Sequence, residues 1–330
     1  MMTKGRTQII DEVTFHLEEA GFDVSSPCDV KPSCFDIAAR KGDQLVLIKA
    51  LSNVDSFQKE DALALQLVAH FFNAVPLIIG SKTRRGQLEQ GVIYARHGVS
   101  TITAPSFESL VVKNNMPHEF VQRGGRFVSI NGAKMKKIRL SREMSKEELA
   151  GCIHVSARAI LAYERNEMDI SSNVAEKLEQ VLETDLIIPV DILGGAFSQR
   201  ESFQQKTPTE LPSLETRVNE FFEKLGMKII WTDRAPFHVA AKEEGPPLIS
   251  TVGSLRGPQT EKDPVRFLSL KRVEILRSVS KVTESDAVII VEEGSADESI
   301  AALPVIRQLE LDEIEKPQEL RKIIEERSDH

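Results

Sequence analysis

The chain has 330 residues, 41% of them hydrophobic, enough for two or three domains with buried cores. It is acidic overall, with 42 basic against 50 acidic residues, and an aromatic fraction of 5% gives no RNA-type stacking platform. There is no apolar signal region or membrane-length run, and Cys28, Cys34 and Cys152 fit no zinc spacing. The expectation is a soluble cytoplasmic protein with no metal and no cofactor, in which a Cys28–Cys34 disulfide is disfavoured and Cys152 is a small core residue.

Residues 1–115 read as an α/β segment. An amphipathic helix from Glu12 ends at Gly21, a residue suited to a C-cap. An alternating strand, Cys34–Arg40, is followed by a turn and a second strand, Leu45–Leu51. A long helix (Asp61–Ala74), a buried strand (Val75–Gly80), a short strand from Val99 and a helix (Ser106–Val111) complete the segment. Residues 116–130 are a connector containing Arg123-Gly-Gly-Arg126, read as a turn and short strand. Its arginines suit a phosphate or a minor groove, and linker solubility accounts for them equally well.

Residues 131–187 carry the strongest signal, a helix-turn-helix over Ser145–Glu164. Ser145 and Glu148 predict a capping box that starts the first helix. Leu149 and Ala150 face inward, Ile153 closes that helix, and Val155 plugs the turn. Ser156 predicts the cap of the second helix, and Ile160 and Tyr163 return to the core. His154 occupies a turn position that often needs a positive φ, a region His visits more readily than most non-Gly residues. Between Arg123 and Arg165 ten basic residues stand against four acidic ones, a local +6 that leaves −14 for the remainder. A basic segment in an acidic body is an electrostatic footprint for a polyanion, although a solvated helix surface would also carry such charge.

Residues 188–212 form a linker, flexible by its Gly194-Gly195 pair and its Gln, Ser and Pro content. Residues 213–315 then repeat the first segment. A helix from Arg217 ends near Gly226, and strands Pro236–Lys242 and Pro247–Val252 follow. A helix of about Val265–Thr283, a buried strand Ala287–Glu292, and a terminal strand from Leu303 with a helix over Asp312–Ile314 complete the copy. Between the copies Asp36 becomes His238, and Lys49 becomes roughly Ser250. Residues 316–330 read as a charged, solvated helical tail.

On Ser145–Glu164, with a first helix in Gly132–Arg142 and a fourth in Ile170–Leu182, the middle segment resembles the Cro/λ-repressor (xenobiotic-response-element) type of DNA-binding domain. His154 departs from that pattern, which usually has Gly. The order α-β-β-α-β with a terminal β-α, and Phe35-Asp36-Ile37 followed by Leu47-Ile48-Lys49, resembles the restriction-endonuclease-like fold of Holliday-junction resolvases. Active members of that fold hold Mg²⁺ on two carboxylates, with a Lys positioning water. Asp36 and Lys49 match, Glu12 matches the helical acid, and Leu47 replaces the middle carboxylate, so a vestigial site is expected. Across most of its length the chain resembles archaeal helix-turn-helix transcriptional regulators. The fold class implied is multidomain, with two endonuclease-like α/β domains flanking a Cro/λ-repressor-like helical bundle.

The resulting expectation is a sequence-specific transcriptional regulator and not an enzyme. Its recognition helix, about 156–165, lies in the major groove of double-stranded DNA. Ala157, Arg158, Leu161, Ala162 and Arg165 face the DNA, Arg158 as the guanine reader. Lys146, Ser156 and, more weakly, Lys136, Lys137 and Arg139 hold phosphates. A homodimer on an inverted repeat is expected, assembled through the α/β copies by a sheet edge or the helix around Leu63–Phe72, unless those copies pair within one chain. The alternatives are a nuclease-like DNA-processing factor targeted by the helix-turn-helix, or an antitoxin-like interaction scaffold.

Overall fold

The computed structural model describes residues 5–194, 213–243, 245–253, 268–292 and 298–328. The chain divides into two compact units. The first comprises Met1–His16, Leu51–Ser56 and Leu77–Gln199; the second comprises Leu17–Ala50, Phe57–Pro76 and Arg200–His330. Helix α1 (Arg6–Glu19) and strand β3 (Gln44–Asn53) each contribute to both.

In the second unit β1 (Asp23–Val24), β2 (Ile37–Lys41) and β3 form an antiparallel meander with Ile37 opposite Ile48. Central positions are apolar on both faces, so β2 and β3 are buried through most of their length. Helix α2 (Lys59–Phe71) turns Leu65, Val68 and Ala69 inward at helical spacing.

In the first unit the end of β3 runs beside β4 (Val75–Lys82); the Leu51 carbonyl oxygen lies 3.7 Å from where a Cβ on Gly80 would sit. β4 is parallel to β6 (Val99–Ile102), and β5 (Val92–Arg96) is antiparallel to β6. Helix α3 (Ala104–Val111) starts at Thr103, whose hydroxyl accepts from the Ser106 amide. The expected connector is a hairpin, β7 (Glu119–Gln122) and β8 (Gly125–Ile130), with β7 parallel to β5. Its turn is Gly124-Gly125, both at positive φ, which glycine adopts without steric cost.

Helices α4 (Gly132–Ser141), α5 (Lys146–Ile153), α6 (Ala157–Glu164) and α7 (Ser172–Leu182) follow. β9 (Ile170–Ser171) and β10 (Ile187–Ile188) both pair with β8. Val128 and Ile130 of that strand share a core with Met135, Leu149, Ile160 and Leu178. The hairpin is therefore a wall of the helical segment, not a spacer before it. Part of the expected linker is anchored too: Ile188 is paired, Val190 and Ile192 are buried, and the Val190 amide donates to Pro117 O. The remainder, 195–212, lies outside the described residues.

The C-terminal segment contains α8 (Ser213–Lys224), β11 (Lys228–Trp231), β12 (Val239–Lys242), β13 (Leu248–Gly253), α9 (Leu270–Thr283), β14 (Asp286–Val291), β15 (Ser299–Ile300) and β16 (Leu303–Arg307). The expected start of α9 at Val265 falls outside the described residues. Its sheet order, β11-β12-β13-β14-β16-β15, repeats β1-β2-β3-β4-β6-β5 strand for strand. The duplication is legible in the sequence, but β5 and β15 are not: β15 is the edge of its sheet, whereas β5 carries the first sheet on to β7.

The charged tail is docked through one face, while Glu319, Lys322, Glu325 and Glu326 remain exposed. α10 (Pro317–Ser328) buries Leu320 and Ile324 in the same core as Phe222, Val288 and Ile306. Two such side chains contribute about 1.5–3 kcal/mol each. Arg327 donates to Val305 O and to Glu310, which ties the helix end to β16 and the turn after it. Glu310 is held below the usual carboxylate range: burial pushes it up, but hydrogen bonds from Arg327 and the Arg307 amide outweigh that.

Within the second unit the two α/β copies meet. Arg40 of β2 donates to Val282 O at 2.7 Å and to Thr283 O at the end of α9. Phe72 meets Phe237 edge-on, the Cys34 amide donates to Arg234 O, and the Arg234 guanidinium bonds Asp61. Of the apolar stretch Leu63–Phe72 considered as a dimer surface, Phe72 is buried against the second copy and Leu63 remains 40% exposed.

Candidate nucleic-acid interface

Local chemistry sets the two helices. Ser145 Oγ accepts from the Glu148 amide at 3.0 Å, and Glu148 Oε2 accepts from the Ser145 amide at 2.7 Å. That bond to the Ser145 amide holds the Glu148 carboxyl below its ordinary range. α5 ends at His154, in the left-handed region at φ 59°. Ser156 Oγ accepts from the Ala159 amide at 3.1 Å, so α6 begins where the hydroxyl predicts.

Burial then sorts the faces. Ile160, Tyr163 and Glu164 of α6 point inward. At 100° per residue the opposite side carries Arg158, Ala162 and Arg165, with Leu161 at its border. Arg158 and Arg165 are exposed; Ala157, Leu161 and Ala162 are half-buried. Arg165 lies 3.6 Å from Glu167 in an exposed ion pair. Ser156 is exposed at the helix start, Lys146 is half-buried at the first position of α5, and Lys136 is exposed on α4. The short side chain of Ala162 in this row leaves room for a close approach by a groove edge.

Arg139, one of the weaker phosphate candidates, is inside. It is 5% exposed, its Nε donates to Glu164 Oε1 at 2.6 Å, and Nη1 donates to Met144 O at 2.7 Å. The signal was available: Arg139 lies four residues after buried Met135, on the same face of α4. α4 is fixed to the end of α6 a second time. The Gly132 amide donates to Asn166 Oδ1, and a Cβ on Gly132 would sit 2.2 Å from the Tyr163 carbonyl oxygen. Cys152 is exposed, contrary to expectation, because Leu149, Ala150 and Ile153 take the inward positions of α5 and leave 152 outside.

The endonuclease-like residues form a different arrangement. Asp36 is fully buried; its Oδ1 accepts from Lys49 Nζ at 3.0 Å and its Oδ2 from the Ala50 amide at 2.8 Å. Lys49 also donates to Ser33 O. Leu47 is buried and Cys34 beside the site has its thiol pushed up to about 12 by burial. Glu12 lies on α1, in the other unit. In the second copy His238 Nδ1 accepts from the Val252 amide at 2.9 Å. Val239 pairs with Ser250 as Ile37 pairs with Ile48, so the counterpart of Lys49 is Thr251, one residue beyond the Ser250 expected. A divalent metal needs converging oxygen ligands. Here a leucine stands at the middle position and the aspartate is engaged by an ammonium and an amide, so the donor set does not fit one.

Residues 6–117 match the PD-(D/E)XK superfamily domain, and residues 135–187 match a helix-turn-helix family. A protein of Thermococcus kodakarensis, provisionally named an HTH-type transcriptional regulatory protein, is 32% identical over 97% of this chain and 96% of its own length. A Natronomonas pharaonis protein with the same provisional name is 31% identical over 98% and 99%, and one from Pyrococcus horikoshii is 32% identical over 97% of each. The chain belongs to this family of archaeal HTH-type regulatory proteins. No solved structure shows a significant match. The family matches agree with a helix-turn-helix within residues 135–187 and a PD-(D/E)XK domain at the N-terminal end. The fold is mixed α/β with an added helical segment. No helix among the described residues is long and apolar enough to cross a membrane.

Proposed function

We propose that the chain is a sequence-specific DNA-binding transcriptional regulator acting in the cytoplasm, with α6 in the major groove. The observation that carries this reading is the outward row Arg158–Ala162–Arg165 on a helix whose opposite face is locked into a packed core. Ala157 and Arg158 lie in the first turn of α6, where base edges are read, with Leu161 and Ala162 one turn on. Arg158 is the long donor suited to a guanine. Lys146 and Ser156 hold phosphates on either side, and Arg165 and Lys136 extend that contact. We read α4–α7 as a Cro/λ-repressor-like bundle within domain boundaries 131–187. The α/β segments 1–115 and 213–315 are read as degenerate endonuclease-like domains serving assembly or effector binding. They are not read as a nuclease, because the Asp36–Lys49 pair does not suit a metal. A homodimer on an inverted repeat would double a half-site too short to serve as a genomic address. Because the copies meet within one unit of the chain, that dimer requires another surface.

The test uses the full chain and a duplex selected by it in vitro. Arg158→Ala should lose discrimination at one base pair by about 1–3 kcal/mol, and Lys146→Ala should weaken all sequences and lower the salt slope by about 0.9. A uniform loss across single-base variants would remove Arg158 as a reader. Mg²⁺-dependent cleavage by the full chain would favour the nuclease reading.

A further inference from the structure

Two basic turns of the first unit are joined to each other and border the recognition helix. The first follows β4. The Leu88 amide donates to Ser81 O and the Thr83 amide to Gly86 O, which closes a tight turn. Thr83 Oγ1 accepts from the Arg85 and Gly86 amides, and Asp55 Oδ2 accepts from the Arg84 amide at 2.7 Å. The backbone is thus pinned while the Arg84 and Arg85 side chains are exposed. The second turn is the β7–β8 tip, Arg123-Gly124-Gly125-Arg126.

Arg126 bonds Glu89, just beyond the first turn, and lies 3.5 Å from Glu119. That ion pair brings the tips together. The second tip in turn adjoins α6: β8 pairs with β9, and Gln122 Nε2 donates to Asp169 Oδ2 in the short loop leaving the recognition helix. Around these turns the cations are Lys82, Arg84, Arg85, Arg96, Arg123 and Arg126; the anions are Asp55, Glu89, Glu119 and Asp169. Among the described residues Arg84, Arg85 and Arg123 have no side-chain partner, in a chain whose net charge is −8.

We propose that these tips form a basic ledge that holds the phosphate backbone of duplex DNA beyond the C-terminal end of α6, extending each protomer's contact past the half-site. This rests on the DNA-binding reading above. Three exposed guanidiniums on pinned turns suit phosphates, which position a protein without specifying sequence.

The experiment compares the wild-type chain with Arg84→Ala/Arg85→Ala/Arg123→Ala on the in vitro selected duplex, and on the same duplex trimmed to the recognised bases. The triple variant should lower the salt slope by about 2.7 and lose backbone protection on the flank in hydroxyl-radical footprints. Its ranking of single-base variants should not change, and trimming should weaken the wild type more than the variant. The lysine version of the same three positions should keep the slope. If the wild type binds and the triple variant retains both slope and flank protection, the ledge is wrong and α6 stands alone. A wild-type chain that binds no duplex overturns both proposals.

Discussion

Replacing Arg139 with Met tests whether α6 is held by a buried ion pair. Glu164 is 7% exposed, and its Oε2 has no hydrogen-bond partner, so the carboxylate depends on Arg139 for its charge compensation. Removing one partner of such a pair costs about 3–5 kcal/mol, because the other charge is left in a poorly solvated place. Arg139→Met also frees Met144 O, the carbonyl just before the α5 cap. Amide exchange at Ile160 and Tyr163, inside α6, reads the loss locally, apart from the second unit. The expected acceleration is roughly a hundredfold to several thousandfold, at a factor of ten per 1.4 kcal/mol. Arg139→Met/Glu164→Leu removes both charges and should recover most of the protection. Acceleration below tenfold in the single variant, or a double variant less protected than the single, would refute the assignment.

Thiol labelling checks the cysteine placement. A maleimide at neutral pH should modify Cys152 in the folded chain and leave Cys28 and Cys34 untouched until denaturant is added, since both are buried and the Cys34 thiol sits near 12; a second fast thiol contradicts this. The docking of α10 should weaken in acid. Glu310 has a folded pKa below its ordinary 4.5, so its contribution is present above that value and is lost as pH falls through the depressed one. Glu310→Gln should lower the melting temperature of the second unit at neutral pH and have no effect once the solution is acid enough to protonate the wild type. A difference that persists there would mean the residue acts without its charge.

The features legible in the sequence are those decided within one turn of chain. Ser145, Glu148, His154 and Ser156 announce their roles because caps and left-handed turns depend on neighbours three or four residues away. The duplicated strands were legible because buried β2–β3 and β12–β13 are apolar runs between turn residues. What was misread depends on partners far along the chain. Arg139 counts as a surface cation until Glu164, 25 residues on, is found beside it. Cys152 looks like core until the inward face of α5 is seen to be filled by its neighbours. α10 reads as solvated because its charges outnumber the apolar side chains through which it docks. The β7–β8 hairpin reads as a connector because its partners, β9 and β10, are two-residue strands with no periodicity to detect.

The strand pairs β2–β3 and β12–β13 place Asp36 and His238 at equivalent positions. Asp36 and His238 differ in charge, shape and chemistry, and their neighbours Lys49 and Thr251 share nothing useful for hydrolysis. Both take a backbone amide of the neighbouring strand. An acceptor atom of the side chain takes the amide of the residue fourteen positions on, Ala50 in one copy and Val252 in the other. The reason lies in the ladder. β2 and β12 stop at Ile37 and Val239, with one further bond from the Asp36 and His238 amides to Ile48 O and Ser250 O. The next inward amide of the neighbouring strand then has no strand opposite it, in a buried place where an unsatisfied N–H costs about 1–3 kcal/mol. A carboxylate and an imidazole both supply that acceptor. A Mg²⁺ site favours an oxygen ligand at this position; terminating the strand pair requires only an acceptor, and the histidine of the second copy fits that looser requirement.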